Sequence, residues 1–281
     1  MTTPFRARRR FGQHFLHDPG VIGRMVSAMG PQSGAVVVEI GPGLGALTGP
    51  LLGAVGRLDV VEVDRDLAAR LAARFAGEVA AGRLLVHTAD ALAFDFAALG
   101  FSALAGPPDR RLRVVGNLPY NISTPLLFHL LSQSGSIRDM HVMVQREVAD
   151  RMAAAPGGGD YGRLSVMVQW QCRVERLFHV GPGAFSPPPR VTSSVVRLTV
   201  RETPPAVLSE GAPLGPLVAR AFSHRRKTLR NALGGVLTAE AMEAAGVDPG
   251  ARPETLDLLA FARLANGAAH GDGAARGDVL R

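Results

Sequence analysis

The sequence predicts an α/β fold, a parallel sheet with helices on both faces, followed by a small helical domain. Three observations predict it. Short β-branched runs alternate with helix-period segments through the first part of the chain. A glycine loop stands directly behind the first of these runs. Beyond Thr203-Pro204-Pro205 only short helical patterns remain. Repeated strand–helix units of this length build parallel sheets, because the crossover helix must pack back onto the sheet.

In chain order, Ala35–Ile40 reads as the first strand and Ala46–Ala54, after the glycine loop, as a helix. Leu58–Val63 is the second strand; Arg65–Ala80 follows as one helix, with Leu67, Leu71, Phe75 and Val79 four apart on one face. Leu84–Thr88 is the third strand, and Gly106-Pro107-Pro108 marks a surface excursion. Leu112–Val115 is the fourth strand, Ile122–Leu131 a helix and Met140–Val144 the fifth strand. Val166–Val174 and Val195–Val200 read as an antiparallel pair closing the sheet edge, flanking the proline- and glycine-rich Gly181–Arg190. Leu214–Phe222, Arg226–Val236, Ala239–Ala245 and Leu256–Ala265 read as short helices. The expected organisation is a first domain over 1–202, a helical domain over 203–266 and a disordered tail over 267–281, which lacks periodicity.

Composition narrows the function classes. With 281 residues and 47% hydrophobic content the chain buries one large core, or one large and one small. No apolar stretch reaches the ~20 residues of a membrane span, and Cys172 is the single cysteine, which excludes a disulfide framework and a cysteine metal site. The reading is of a soluble, cytosolic protein. The net charge is +7, almost all of it arginine, since Lys227 is the only lysine. The cations cluster at Arg6, Arg8, Arg9, Arg10 and again at Arg225, Arg226, Lys227, Arg230, a pattern suited to a polyanion such as nucleic acid. The second cluster lies in Phe222–Asn231, read as an amphipathic helix with Phe222, Leu229 and Leu233 toward a core.

Two motifs carry chemistry. Gly116-Asn117-Leu118-Pro119-Tyr120 follows a buried strand and precedes a helix, at the end of a sheet where open α/β folds bind ligands. An exocyclic amine on a flat base needs such a set: the Asn117 amide oxygen and a backbone carbonyl accept its two N–H bonds, and Tyr120 stacks on the ring. The second motif is Glu39-Ile40-Gly41-Pro42-Gly43-Leu44-Gly45. Its spacing is G-x-G-x-G, not the G-x-G-x-x-G of dinucleotide binders, and Pro42 removes one N–H that a pyrophosphate would use. A nucleoside-like ligand without phosphate suits it better. Glu62, ending the second strand, is placed for two ribose hydroxyls, and Asp90, ending the third, for an adenine amino group.

Together with Phe11-Gly12-Gln13-His14-Phe15-Leu16 and Phe185-Ser186-Pro187-Pro188-Pro189-Arg190-Val191, these motifs occur in the order and spacing of one family. The chain resembles the small-subunit ribosomal RNA adenine N6,N6-dimethyltransferases, the KsgA/RsmA group, over residues 5 to 265. The resemblance implies a Rossmann-like S-adenosylmethionine-dependent methyltransferase domain with a small helical C-terminal domain. It implies cofactor contacts from Gln13, His14 and Leu16, with His14 standing where the family usually has asparagine. It places Gly41 and Gly43 beside the cofactor, Glu62 on its ribose, Asp90 on its adenine, and Asn117 near both cofactor and target. Asn117, the Leu118 carbonyl, Tyr120 and Phe185 then form the catalytic set, the two aromatics stacking on opposite faces of the flipped base. Arg225, Arg226, Lys227 and Arg230 meet RNA phosphates. The implied reaction is dimethylation of two adjacent adenines in a small-subunit rRNA hairpin loop by a monomer acting on immature small subunits, with a role in their assembly. The competing readings are a large-subunit rRNA adenine methyltransferase, an rRNA-binding assembly factor with catalysis secondary, and an NAD-dependent oxidoreductase, against which the loop spacing argues.

Overall fold

The structure, a computed structural model, describes residues 12–101, 111–224 and 226–270. Arg6 to Arg10, Phe11, the Gly106–Pro108 excursion, Arg225 and residues 271–281 lie outside the described residues. The chain divides into two compact units, one of Met1–Ala149 with Arg173–Val200, the other of Asp150–Cys172 with Arg201–Arg281. The second division falls beside the expected boundary at residue 202. The excursion Asp150–Cys172, expected in the first domain, clusters with the second unit instead.

The first unit is built on a seven-stranded sheet. Its strands are β2 (Val37–Ile40), β3 (Leu58–Glu62), β4 (Leu84–Thr88), β5 (Leu112–Asn117), β6 (Ile137–Gln145), β7 (Cys172–Val180) and β9 (Ser193–Val200), in the spatial order β4-β3-β2-β5-β6-β9-β7. The strands from β4 to β6 are parallel, and β9 runs antiparallel to β6. All residues of β2 and β3 are buried, as strands covered on both faces must be. A separate two-stranded ribbon joins β1 (Phe15–Leu16) to β8 (Phe185–Ser186), pairing Leu16 with Phe185.

Helix α1 (Pro19–Met29) was not anticipated, although its signals are in the sequence. Asp18 caps it by accepting from the Val21 N–H at 2.9 Å, Pro19 opens it, and Gly30 ends it in the left-handed conformation. Arg113 of β5 ties down its far end: the guanidinium donates to the Met29 carbonyl at 2.6 Å and the Gly30 carbonyl at 3.2 Å, and pairs with Asp139 of β6 at 3.0 Å.

Three expected elements differ. Val166–Val174 is not a strand: α8 (Arg163–Gln171) is a helix, and β7 begins at Cys172. Its valines favour strands weakly, and burial of Val166 and Trp170 in the second unit's core outweighs that propensity. The helix expected over Arg65–Ala80 breaks at Phe75 (φ −111°, ψ 35°) into α3 (Arg65–Arg74) and α4 (Ala76–Ala80). The helix expected over Arg226–Val236 shrinks to α10 (Leu229–Ala232), so residues 226–227 before it are turn and bend rather than amphipathic helix. The Gly234-Gly235 pair, with Gly235 at φ 83°, stops that helix early. Phe222, Leu229 and Leu233 nonetheless pack in the second unit's core with Leu217, Val218 and Phe261. The last helix, α12 (Leu258–His270), carries on through Gly267–His270, which the sequence reading assigned to the tail.

Gly116 sets the closest approach in the sheet. A Cβ there would lie 2.4 Å from the Ile40 carbonyl oxygen, a backbone atom of the neighbouring strand. Gly116→Ala should therefore destabilise the protein by at least the ~1–3 kcal/mol typical of overpacking, read as a lowered urea midpoint with unchanged slope.

Candidate active site

The order of the parallel strands reverses between β2 and β5, and open α/β sheets bind ligands at the carboxyl ends of the strands flanking such a point. β2 runs out into the glycine loop and β5 ends at Asn117, so the two sequence motifs emerge side by side. Between them lies a cavity of about 200 Å³. Gln13, His14, Leu16, Gly41, Gly43, Glu62, Asp90, Asn117, Leu118 and Tyr120 all line it. Phe15, Glu39, Val63 and Leu92 line it too, none of them given a role by the sequence reading. The sequence signal for Val63 was an apolar residue directly after an acid at the end of a strand, and the structure leaves it 44% exposed.

The loop passes close to the N-terminal strap. Gly43 has φ 56°, and a Cβ there would come within 3.0 Å of the Phe15 ring. Gly41, at φ 66°, packs beside the Asn117 carbonyl, so neither position accepts a side chain without strain. The cavity wall is acidic. Glu39 is 1% exposed and takes the Thr48 hydroxyl at 2.6 Å. Burial raises its carboxyl to about 7, the Thr48 bond working against the rise and the nearby Glu62 charge adding to it. Glu62 accepts from the Asp64 N–H at 3.0 Å on one oxygen and from the Gly43 N–H at 3.2 Å on the other. Burial raises its pKa as well, opposed by backbone bonds from Asp64, Gly43 and Val63 and aided by the Asp64 charge. Asp90 is exposed at the rim, where its Oδ1 accepts from the Leu92 N–H at 2.9 Å.

Around Asn117 the polar atoms are ordered. Its Nδ2 donates to the His14 carbonyl at 2.9 Å, which leaves Oδ1 as an acceptor. The Leu118 N–H is taken by the Met143 carbonyl at 3.0 Å. The Tyr120 hydroxyl lies 2.5 Å from Ser193 Oγ. Burial raises the Tyr120 pKa and the Ser193 bond only partly offsets this, so the ring is a neutral phenol. Gln13 reaches Asp64 at 3.3 Å.

Phe185 corrects the sequence reading. It is 2% exposed and sits in the main core of the first unit with Leu16, Val180 and Val195, so it presents no face to a flipped base. Pairing with Leu16 across the β1–β8 ribbon turns it inward. Arg226, Lys227 and Arg230 are exposed on the second unit and are not part of the cavity. Among the described residues there is no cluster of potential metal ligands, and no helix is long and apolar enough to cross a membrane.

This sheet order, with an acid-lined, phosphate-averse cleft at its switch point, defines a Rossmann-like methyltransferase that uses a nucleoside cofactor. The glycine cradle and buried carboxylates fit S-adenosylmethionine, a cation with a ribose and no phosphate. The family sequence model "Ribosomal RNA adenine dimethylase" matches residues 4–270. "Ribosomal RNA small subunit methyltransferase A" of Pseudomonas putida is 57% identical over 261 residues, 93% of this chain and 94% of that one. The protein of the same name from Nitrosococcus oceani is 58% identical over 264 residues, 94% of this chain and 96% of that one. Among solved structures, a dimethyladenosine transferase from Plasmodium falciparum matches with a TM-score of 0.73 at 26% identity, covering 89% of this chain and 96% of that one. The 23S rRNA methyltransferase ErmE matches with a TM-score of 0.65 at 26% identity, covering 91% and 100%. The chain belongs to the ribosomal RNA adenine dimethylase family, and it is an S-adenosylmethionine-dependent enzyme.

Glu39 gives the ligand-free site a pH signature. A carboxyl whose folded pKa is raised contributes no penalty below the unfolded value and its full penalty above the folded one. Stability should therefore fall as pH rises from about 4.5 to about 7, by on the order of 3 kcal/mol. Denaturant titrations of the parent and Glu39→Gln across that window check it; the variant should lose most of this slope.

Proposed function

We propose that the cleft holds S-adenosylmethionine and that the chain dimethylates N6 of two adjacent adenines in a small-subunit rRNA hairpin loop. The observation that carries this reading is the Asn117 amide, fixed by the His14 carbonyl with its oxygen left to accept, beside an acidic, glycine-lined cleft. The relatives named for the small ribosomal subunit favour that target over large-subunit rRNA, since ErmE shares less than half as much identity. Immature small subunits are then the partner, met in the cytoplasm by a monomer. Binding there also suits a role in subunit assembly.

In this reading Glu62 accepts from the ribose hydroxyls, and Asp90 accepts from the cofactor's adenine amine. Gly41 and Gly43 lie against the methionine part, and Gln13, His14 and Leu16 close over it from the strap. When bound, S-adenosylmethionine supplies a methyl group activated on a sulfonium. The chain's own residues supply the aim. The N6 lone pair is delocalised into the adenine ring, so the amine is a weak nucleophile. Asn117 Oδ1 and the Leu118 carbonyl accept its two N–H bonds, favour a pyramidal nitrogen, and stabilise the positive charge that develops on it. Tyr120, a neutral phenol held by Ser193, stacks on the base once it leaves its helix. Holding both partners in line supplies much of the remainder. The methylated nitrogen sheds its proton to water, so no dedicated base is required.

Asn117→Ala removes one preorganised acceptor and should lower single-turnover methylation by on the order of 10²–10³, while RNA binding persists. Glu62→Ala should instead weaken cofactor binding by ~1.5–3 kcal/mol for each hydrogen bond lost, measured by calorimetry. Parent rates in the first variant, or parent affinity in the second, would remove the corresponding role.

The basic run of the second unit is read as a phosphate contact. Replacing Arg225, Arg226 and Lys227 together should reduce the log–log salt slope of RNA binding by ~2, at roughly 0.7 per single-stranded contact. An unchanged slope in filter-binding titrations would make the run a solvated face.

A further inference from the structure

One face of Tyr120 is already taken. The His14 imidazole stacks on it, with ring centroids 5.5 Å apart and planes 29° from parallel. Both rings are tethered. The Tyr120 hydroxyl is held by Ser193 Oγ at 2.5 Å, and His14 Nδ1 lies 2.8 Å from the Pro187 carbonyl. A carbonyl only accepts, so Nδ1 carries the proton and the tautomer is set. His14 is held a third way, through its own carbonyl, which receives the Asn117 amide. A base slipped between the two rings would have to push them apart and break one of these tethers. Nor can Phe185 form the other side of a sandwich, since it is buried in the core.

We propose that His14 is a positioning residue for methyl transfer: its ring backs Tyr120, so that the target adenine stacks on the opposite face alone, while its carbonyl orients the Asn117 amide. The inference rests on the reading of Asn117 and Tyr120 as the base-holding pair. The backing matters because a tyrosine ring open on both faces would accept the base in two places. A rigid two-ring stack, anchored to β9 at Ser193 and to the proline-rich loop at Pro187, leaves one. Orientation then comes from the protein before the base arrives, which is where alignment is most effective.

Two substitutions separate the ring from the polar tether. His14→Asn removes the ring and keeps a polar side chain; His14→Phe keeps a ring and removes the tether to Pro187. The first readout needs no substrate. The chain has two tyrosines, so ring-labelled tyrosine gives one signal set for Tyr120 and one for Tyr161, which serves as the internal reference. His14→Asn should shift the Tyr120 ring signals and leave those of Tyr161 in place, and His14→Phe should keep Tyr120 under a neighbouring ring current. The second readout is single-turnover methylation of unmethylated small subunits at saturating S-adenosylmethionine and subunit. His14→Asn should slow it roughly threefold to tenfold, the worth of one aromatic pair. His14→Phe should restore it to within about twofold. A parent rate in His14→Asn, unmoved Tyr120 signals in that variant, or no recovery in His14→Phe overturns the proposal. Asn117→Ala run alongside separates the two ideas. If that variant keeps the parent rate, the amide reading fails; if it loses activity while His14→Asn does not, only the His14 inference fails.

Discussion

The site depends on how closely β5 runs past β2. At Gly116 the two backbones leave no room for a Cβ, with the Ile40 carbonyl 2.4 Å from where it would be. That contact places the end of β5 against the start of the glycine loop, so Gly41 packs beside the Asn117 carbonyl. Moving the strands apart by one side chain would separate Asn117, the proposed acceptor for the target amine, from the glycine loop proposed to cradle the cofactor. The strap depends on the same pair of strands. Arg113, three residues before Gly116, anchors the far end of α1 to β5 and β6, and the chain that leads into α1 is the one carrying Gln13, His14 and Leu16 over the cleft.

Electrostatics give the cleft its choice of ligand. Two buried carboxyls, Glu39 and Glu62, line one wall, and burial raises both. Such a wall opposes a phosphate and favours a cation, because a positive charge nearby stabilises the ionised form that burial penalises. The helix after the loop adds little to anion binding, since Pro42 lacks an N–H and the Gly43 N–H is already spent on Glu62. The argument from spacing that this loop is not a pyrophosphate site thus acquires a structural cause. The amide that a dinucleotide binder would aim at phosphate is bonded to an acid.

How much of this was legible in the sequence follows from the range of the interactions involved. The five parallel strands were readable because buried parallel strands are continuous apolar runs, and their ends were fixed to within a few residues by acids and glycines. Asn117, Glu62 and Asp90 were readable because position at a strand end is a local property. α8 was not, since nothing within Val166–Val174 distinguishes a buried helix from a strand; the surrounding core decides. Phe185 was misread for a related reason. Its motif is local, but its orientation is set by pairing with Leu16, far away in sequence. The same ribbon brings Pro187 to His14, so the ring stack on Tyr120 was equally hidden, although both residues had been singled out.

The use of an amide rather than a base at Asn117 also has a cause in this surrounding. A carboxylate in its place would share one cavity with Glu39 and Glu62, and like charges in a poorly solvated site raise one another's pKa. Glu39 already stands at about 7. A third acid would be protonated for much of the time, and a protonated acid donates where the proposed target amine needs an acceptor. An amide accepts at any pH and adds no charge. Its one weakness is that it can turn over and present N–H instead of oxygen. The His14 carbonyl removes that freedom by binding the Nδ2 side, so the segment proposed to cover the cofactor also fixes which way the Asn117 oxygen, the proposed acceptor, points.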